Sequence, residues 1–321
     1  MTTEIVLGSL FGDEGKGAAT QWLCQKAISS GRRPLVIRYT GGPQAAHTVE
    51  LSISGRRVEH IFSSFGSGTL MGAPTLYAHT ALVDPICLIN EYSVLASKGV
   101  SPKINISKAM IITPYDVAAN RCNKETLSHG TCGKGVYEAW LRSRKARFSI
   151  NDDPGRILDT ASRYHGFCRD RQADDMFAEC MAKARSIQED ISTSDFDTEI
   201  YESTQGLLLD ARLGFLPHVT ATDTGLQYFG SKHLDGASIL LTMRTYLTRH
   251  GNGYTPRAVP GYNLCDESET NAENQYQGSF KTRIFDFDLL SEAFSRHRLR
   301  QHRQSRFSIA ISHLDTLLRN G

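Results

Sequence analysis

Charge imbalance is what this chain has least of: 36 Lys and Arg stand against 34 Asp and Glu, a formal net charge of +2. No overall field draws it to nucleic acid or to an anionic membrane, so an anion site has to be built locally. Also missing is any apolar run of the roughly 18 residues that a membrane helix needs. Met1-Thr-Thr-Glu4 leads straight into a short strand with no basic leader. Seven cysteines (Cys24, Cys87, Cys122, Cys132, Cys168, Cys180 and Cys265) are scattered without a C-x-x-C pair. An odd count spread over a chain this long is no disulfide framework. These absences predict a reducing, cytoplasmic setting and a small-molecule ligand, with no nucleic acid and no membrane. There is no internal repeat or low-complexity tract either.

What is present is an alternation of short apolar runs and helical patterns. It predicts strands over residues 4–10, 34–39 and 109–113 and helices over 16–29 and 83–97. This is the rhythm of a parallel sheet, and the expected class is α/β: a single large domain, 1–321, with a mostly parallel central sheet flanked by helices. A small β excursion is expected at 48–60, around the turn Ser54-Gly55. Residues 153–190 read as a charged helical subdomain or lid whose apolar positions are too sparse for a core element. Strand character returns at 198–201 and 238–247. The polar stretch 252–277 has little periodicity, and about 252–284 is expected to be a long loop or flap. Residues 288–300 read as a helix with a basic end, and 307–311 as a final buried strand.

The densest chemistry lies in Gly12-Asp-Glu-Gly-Lys-Gly17, a glycine-rich turn between an apolar strand and a helix. Backbone N–H groups of such a turn suit phosphate oxygens, and Lys16 adds a point charge. Leu10 stands where a P-loop has glycine and Gly17 where it has Ser or Thr, so this is not a nucleotide P-loop proper. Taken alone, the hexapeptide equally suits an ordinary strand–helix turn with an Asp13–Lys16 surface pair.

Its company decides between the two. The next strand ends in Arg38-Tyr-Thr-Gly-Gly-Pro-Gln-Ala-Ala-His-Thr48, and further along come Val83-Asp-Pro85, His129-Gly-Thr-Cys-Gly-Lys-Gly135, Glu202-Ser-Thr-Gln-Gly-Leu-Leu-Leu-Asp210, Phe215-Leu-Pro-His-Val-Thr220, Thr248-Arg-His-Gly-Asn-Gly253 and Ser312-His-Leu-Asp315. In this order they resemble the motifs of adenylosuccinate synthetase, a GTP-dependent ligase that joins aspartate to a 6-oxopurine nucleotide. The family deprotonates purine N1, phosphorylates the 6-oxygen and displaces that phosphate with the aspartate amine.

The resemblance implies Asp13 as base and Mg²⁺ ligand, His47 as hydrogen-bond donor or acid at the transferring phosphoryl group, and Lys16 as charge neutraliser. It implies nucleotide-donor contacts at Gly12, Glu14, Gly15, Gly17, Thr48 and Asp315, with the Ala46 backbone at the metal. Gln44, Thr131, Gln205, Leu209, Thr220 and Arg249 would bind the acceptor nucleotide. Arg142 or Arg144 would reach the acceptor phosphate across a homodimer interface.

Three departures stand out. Where the family binds aspartate with a run of arginines, Gly278–Asp288 leaves Lys281 and Arg283 as candidates. The sequence ends at Gly321, before the family's Ser-Thr-Gly-Pro motif, and His313 replaces a lysine, so the donor is expected to relax from GTP toward ATP. Gln44 and Ala46 stand where the family has Asn and Gly. The short form resembles phage members that act on dGMP and make the precursor of 2-aminoadenine nucleotide. The expected function is ligation of L-aspartate to IMP or (d)GMP. The alternatives are a catalytically inactive nucleotide-binding paralogue and a P-loop kinase or GTPase, the latter disfavoured by Gly17.

Overall fold

Central strands of a parallel sheet are covered on both faces, so their sequences are unbroken apolar runs rather than alternations. Ile5, Val6 and Leu7 of β1 (Thr2–Gly8) and Leu35, Val36 and Ile37 of β2 (Pro34–Arg38) are all buried. This computed structural model describes all residues except 54, 259–263, 265–268, 270, 272–275, 277–279, 303 and 317–321. The remaining strands are β3 (His47–Ile53), β4 (Arg56–Phe62), β5 (Thr75–Tyr77), β6 (Leu82–Val83), β7 (Ile104–Asn105), β8 (Met110–Ile111), β9 (Thr198–Gly206), β10 (Ser238–Arg244), β11 (Tyr246–Arg249), β12 (Lys281–Ile284) and β13 (Arg306–Ser312).

Seven of them form one sheet in the order β13-β10-β1-β9-β2-β5-β7, with every neighbouring pair parallel. The expected α/β class, a mostly parallel central sheet flanked by helices, is therefore the observed one. The helices are α1 (Lys16–Ser29), α2 (Pro85–Ser97), α3 (Pro114–Cys122), α4 (Lys124–His129), α5 (Val136–Ser143), α6 (Pro154–His165), α7 (Arg171–Ser186), α8 (Ser231–Leu234) and α9 (Phe287–Arg296). Helix α1 packs on β1, β2, β3 and β9. The strand order sets the carboxyl ends of β10, β1, β9 and β2 side by side, where open α/β sheets bind ligands.

Several expectations are corrected. The 109–113 strand shrinks to β8, which pairs with β6 outside the main sheet. The 238–247 strand breaks at Thr245, because the chain leaves β10 to pair β11 antiparallel with β12. Helices α6 and α7 are not coreless: Ile157, Leu158, Ala161, Phe177, Met181 and Ala184 are buried in one cluster with Leu88, Leu95 and Phe148. Three apolar residues at 177, 181 and 184 suffice for one helical face. Asp153 and Asp170 cap the two helices through the N–H groups of Arg156 and Ala173.

The last strand is apolar but not buried. Phe307, Ile309 and Ile311 of β13 are 38%, 51% and 51% exposed, because β13 is the sheet edge. The β excursion is the β3–β4 hairpin. Most of the 252–277 stretch lies outside the described residues. Among those described, no helix is long and apolar enough to cross a membrane, and six cysteines are free.

Candidate active site

The loop after β1 closes on itself through glycine. A Cβ on Gly8 would lie 2.3 Å from Glu14 Oε2 and 3.0 Å from Lys16 Nζ, so a larger residue would have to displace the ends of these buried side chains. The Leu10 N–H donates to Glu14 Oε1 at 2.6 Å. Burial pushes the Glu14 carboxyl up to about 8, against the pull of Lys16, and pushes the Lys16 ammonium down, against Glu14, Asp13 and Glu202. Glu14 Oε2 and Ser9 Oγ are buried without a hydrogen-bond partner. Buried polar atoms without a partner mark a place where a ligand is expected.

Asp13 has φ 57°, left-handed for a non-glycine residue. That conformation costs about 1–2 kcal/mol for most side chains, and Asp is one of the few that adopts it. Two bonds hold the turn: Thr248 Oγ1 donates to the Gly12 carbonyl at 2.8 Å, and Arg244 Nε to the Asp13 carbonyl. The Asp13 carboxylate is 24% exposed.

His47 opens β3 and packs against the first turn of α1, where a Cβ on Gly17 would stand 2.9 Å from His47 Cβ. Its Nδ1 lies 2.7 Å from Glu202 Oε1 in the middle of β9. Glu202 is 0% exposed and also accepts the Ser67 hydroxyl and, at 3.1 Å, the Ser67 N–H. Burial pushes the His47 imidazole below its ordinary value, and Glu202 offsets this only in part. The neutral ring then keeps Nδ1–H on Glu202 and turns Nε2, which is buried and unpartnered, to the site. Arg38, 1% exposed, braces this wall by donating to the carbonyls of Phe65 and Ser63.

The structure brings Glu14, Lys16, Gly17, His47 and Glu202 together beside the turn that holds Gly12, Asp13 and Gly15. Ala46 and Thr48 flank His47 and are exposed. Gln44 Nε2 lies 3.5 Å from Gln205 Oε1, and the Thr220 N–H donates to the Leu209 carbonyl at 2.8 Å. Thr131 donates to Asn120 Oδ1. Asp315, beyond the sheet edge strand, is exposed.

Other candidates also donate to backbone carbonyls or to a neighbouring side chain. Arg249 is 1% exposed, lies 4.2 Å over the Phe11 ring and donates to the carbonyls of His218, Asn252 and Tyr254, while burial lowers it to about 10. Lys281 donates to the Gly251 carbonyl and Arg283 to those of Pro256 and Thr282. Arg142 does not point outward: the inner face of α5 buries it to 1%, and its Nε and Nη2 both donate to Asp116 at 2.9 Å. That corrects its expected role across an interface. Arg144 is exposed, with its guanidinium 5.2 Å from the Trp140 ring centre.

Sequence reasoning assigned no role to Glu202, Ser67, Arg38, Arg244 or His250. Glu202 carried a signal: a carboxylate inside a buried parallel strand needs a partner. Among the described residues no three His, Cys, Asp or Glu side chains gather as a metal cluster. One carboxylate at the mouth of a phosphate loop still fits Mg²⁺, which is commonly held by one or two carboxylates and the substrate's phosphates.

A family model for adenylosuccinate synthetase matches residues 5–279. The adenylosuccinate synthetase of Nitrosomonas eutropha is 31% identical over 286 positions, covering 78% of this chain and 64% of that protein. The chain thus spans less than two thirds of that relative. The Halobacterium salinarum protein of the same name is 27% identical over 358 positions, covering 98% and 78%. Two solved structures, each 16% identical, share the fold. Fully ligated adenylosuccinate synthetase from Plasmodium falciparum has a TM-score of 0.75 over 99% of this chain and 78% of its own. Cyanophage S-2L succinoaminodeoxyadenylate synthetase, bound to dGMP and dATP, has a TM-score of 0.64 over 92% and 82%. With a match running from β1 past β11, the chain belongs to the adenylosuccinate synthetase family.

Proposed function

We propose that this chain is a carbon–nitrogen ligase that condenses L-aspartate with the 6-position of a purine nucleoside monophosphate, driven by NTP cleavage. One observation carries the reading: the His47 ring, held by the buried Glu202, presents an unpartnered Nε2 beside a loop where Lys16 lies in the field of Asp13, Glu14 and Glu202. A binder of nucleotide needs the loop but not the oriented imidazole.

Asp13 takes the N1 proton, leaving the charge on the purine 6-oxygen. That oxygen attacks the γ-phosphorus and NDP departs. The aspartate amine then adds at C6, and phosphate leaves with the oxygen. The developing phosphoryl charge favours a proton on His47 Nε2, which then donates to it, and the Lys16 ammonium lies in the same field. Mg²⁺, held by the Asp13 carboxylate and the Ala46 carbonyl together with phosphate oxygens, would neutralise the donor's charge. Gln44 and Gln205 are suited to the purine edge, Leu209, Thr131, Thr220 and Arg249 to the rest of the acceptor, and Gly12, Gly15, Gly17, Thr48 and Asp315 to the NTP.

A homodimer in a reducing cytoplasm belongs to the same reading. Tyr137 and Leu141 are 49% and 37% exposed on α5 next to Trp140 and Arg144, an apolar face suited to a second copy, with Arg144 as the crossing cation. The test is incubation with aspartate, Mg²⁺ and each pairing of IMP, GMP or dGMP with GTP or ATP, reading phosphate release and the succinylated product. Turnover with dGMP alone places the enzyme on the route to 2-aminoadenine nucleotide, and turnover with IMP on that to adenylate. No product from any pairing, with nucleotide still bound, refutes the ligase reading.

A further inference from the structure

We propose that Glu269 and Asn271 form a latch that positions Asp13, with Arg244 and His250 as its two arms. The inference rests on the role of Asp13 as base given above.

The first arm acts on the backbone. Arg244 Nε donates to the Asp13 carbonyl, while its Nη1 donates to Glu269 Oε2 and to the Tyr246 hydroxyl. The side chains of Arg244 and Glu269 are 8% and 10% exposed. Burial works against both charges, yet their pairing outweighs it, holding Glu269 below and Arg244 above their ordinary values. Removing one member of such a desolvated pair leaves the other uncompensated. The carbonyl that Arg244 grips belongs to the residue held left-handed.

The second arm acts on the side chain. Glu269 Oε1 accepts from the Asn271 N–H at 3.0 Å and from Nδ2 at 2.7 Å, which turns Asn271 Oδ1 to His250 Nε2 at 3.2 Å. The same Nε2 is 3.6 Å from Asp13 Oδ2, and the ring packs on Phe280 with centroids 4.8 Å apart. One N–H directed between Asn271 and the carboxylate limits how far Asp13 can rotate. The family motif has valine where His250 stands, so this arm belongs to the present chain.

Both arms end at Glu269, and the segment that carries it also carries Lys281 and Arg283, the candidates for the amine substrate. Proton abstraction at N1 depends on the placement of Asp13 to a fraction of an ångström. Its efficiency therefore depends on Glu269 and Asn271 being in place, and Arg244, His250, Glu269 and Asn271 are positioning residues.

The test compares Glu269→Ala, the shape-preserving Glu269→Gln and Asn271→Ala with the full-length wild type. Glu269→Ala lowers kcat by about tenfold or more, while KM for the NTP changes by much less than kcat does. Glu269→Gln lies between, and Asn271→Ala, which removes only the His250 arm, has the smaller effect. In an Asp13→Asn background Glu269→Ala causes no further loss. Hydrogen exchange of the amides of residues 10–17 quickens in Glu269→Ala whether or not turnover is measured. Wild-type exchange in that variant, or losses that add in the double variant, overturns the latch. A wild type that turns over no acceptor refutes the ligase reading, and exchange then decides the latch alone.

Discussion

Where β3 meets β9 the His47 imidazole is 7% exposed and bound to a carboxylate that is 0% exposed, whereas in the turn after β1 the Asp13 carboxylate is 24% exposed on a left-handed backbone. The first wall is made by sheet strands and the short loops between them: Glu202, Ser67 and Arg38 take hydrogen-bond partners from the core. The second wall is a turn, braced from outside by Thr248, Arg244 and His250. The difference teaches where preorganisation comes from. Hydrogen bonds between buried strand ends are protected from water and hold one geometry, while a loop at the mouth takes its geometry from whatever closes over it.

The sharpest way to break this contrast is to remove each group in turn. His47→Ala and Asp13→Asn should each lower the rate of ligation by about 10²–10⁴-fold, read as product formed at saturating substrates. Their stabilities should diverge: Asp13→Asn, in a turn that Asn also tolerates, should melt within about 0.5 kcal/mol of wild type, and His47→Ala, which strands the buried Glu202, should lose about 1–3 kcal/mol. Equal losses by urea titration would erase the distinction between the walls.

A smaller effect is expected from Glu202→Gln, which keeps the shape but lets the amide hydrogens compete for His47 Nδ1. By analogy with the orienting acid of hydrolase triads, turnover should drop by about a hundredfold or more. KM for the acceptor should barely change. A rate near wild type would show that His47 needs no orienting carboxylate.

The smallest and most specific prediction concerns Glu14. Its carboxyl sits at about 8 in the folded chain against an ordinary 4.5, so the folded state keeps a proton that the unfolded chain loses between those values. The contribution of Glu14 to stability is then full below pH 4.5 and is lost as pH rises through about 8. Glu14→Gln, which cannot ionise, should flatten that slope in ligand-free melts recorded from about pH 5 to 8. A variant with the wild-type slope would remove Glu14 as its source.

The sheet and the glycine loop were legible because their signals are local. Ile5-Val-Leu7 followed by Gly8 and Gly12 says strand then tight turn, and the helical reading of 16–29 is reproduced by α1. Other features were hidden because their meaning depends on distant partners. Arg142 reads as a surface cation until Asp116 is found beside it on α3, and Phe307 reads as core until β13 turns out to be the edge of the sheet among the described residues. The apolar positions of α7 looked too few because their neighbours come from α2 and α6.

By itself, the sequence determined the α/β class, the glycine loop with Asp13 and Lys16, and the presence of His47 on the next strand end. Periodicity, turn chemistry and motif order are properties of contiguous residues. Only the tertiary structure decided that Glu202 orients His47 from 155 positions away, that Arg142 is spent inside the chain, and that Arg244 and His250 converge on Asp13. Those outcomes depend on which strands lie side by side and which groups lose their water together, and no local pattern encodes either.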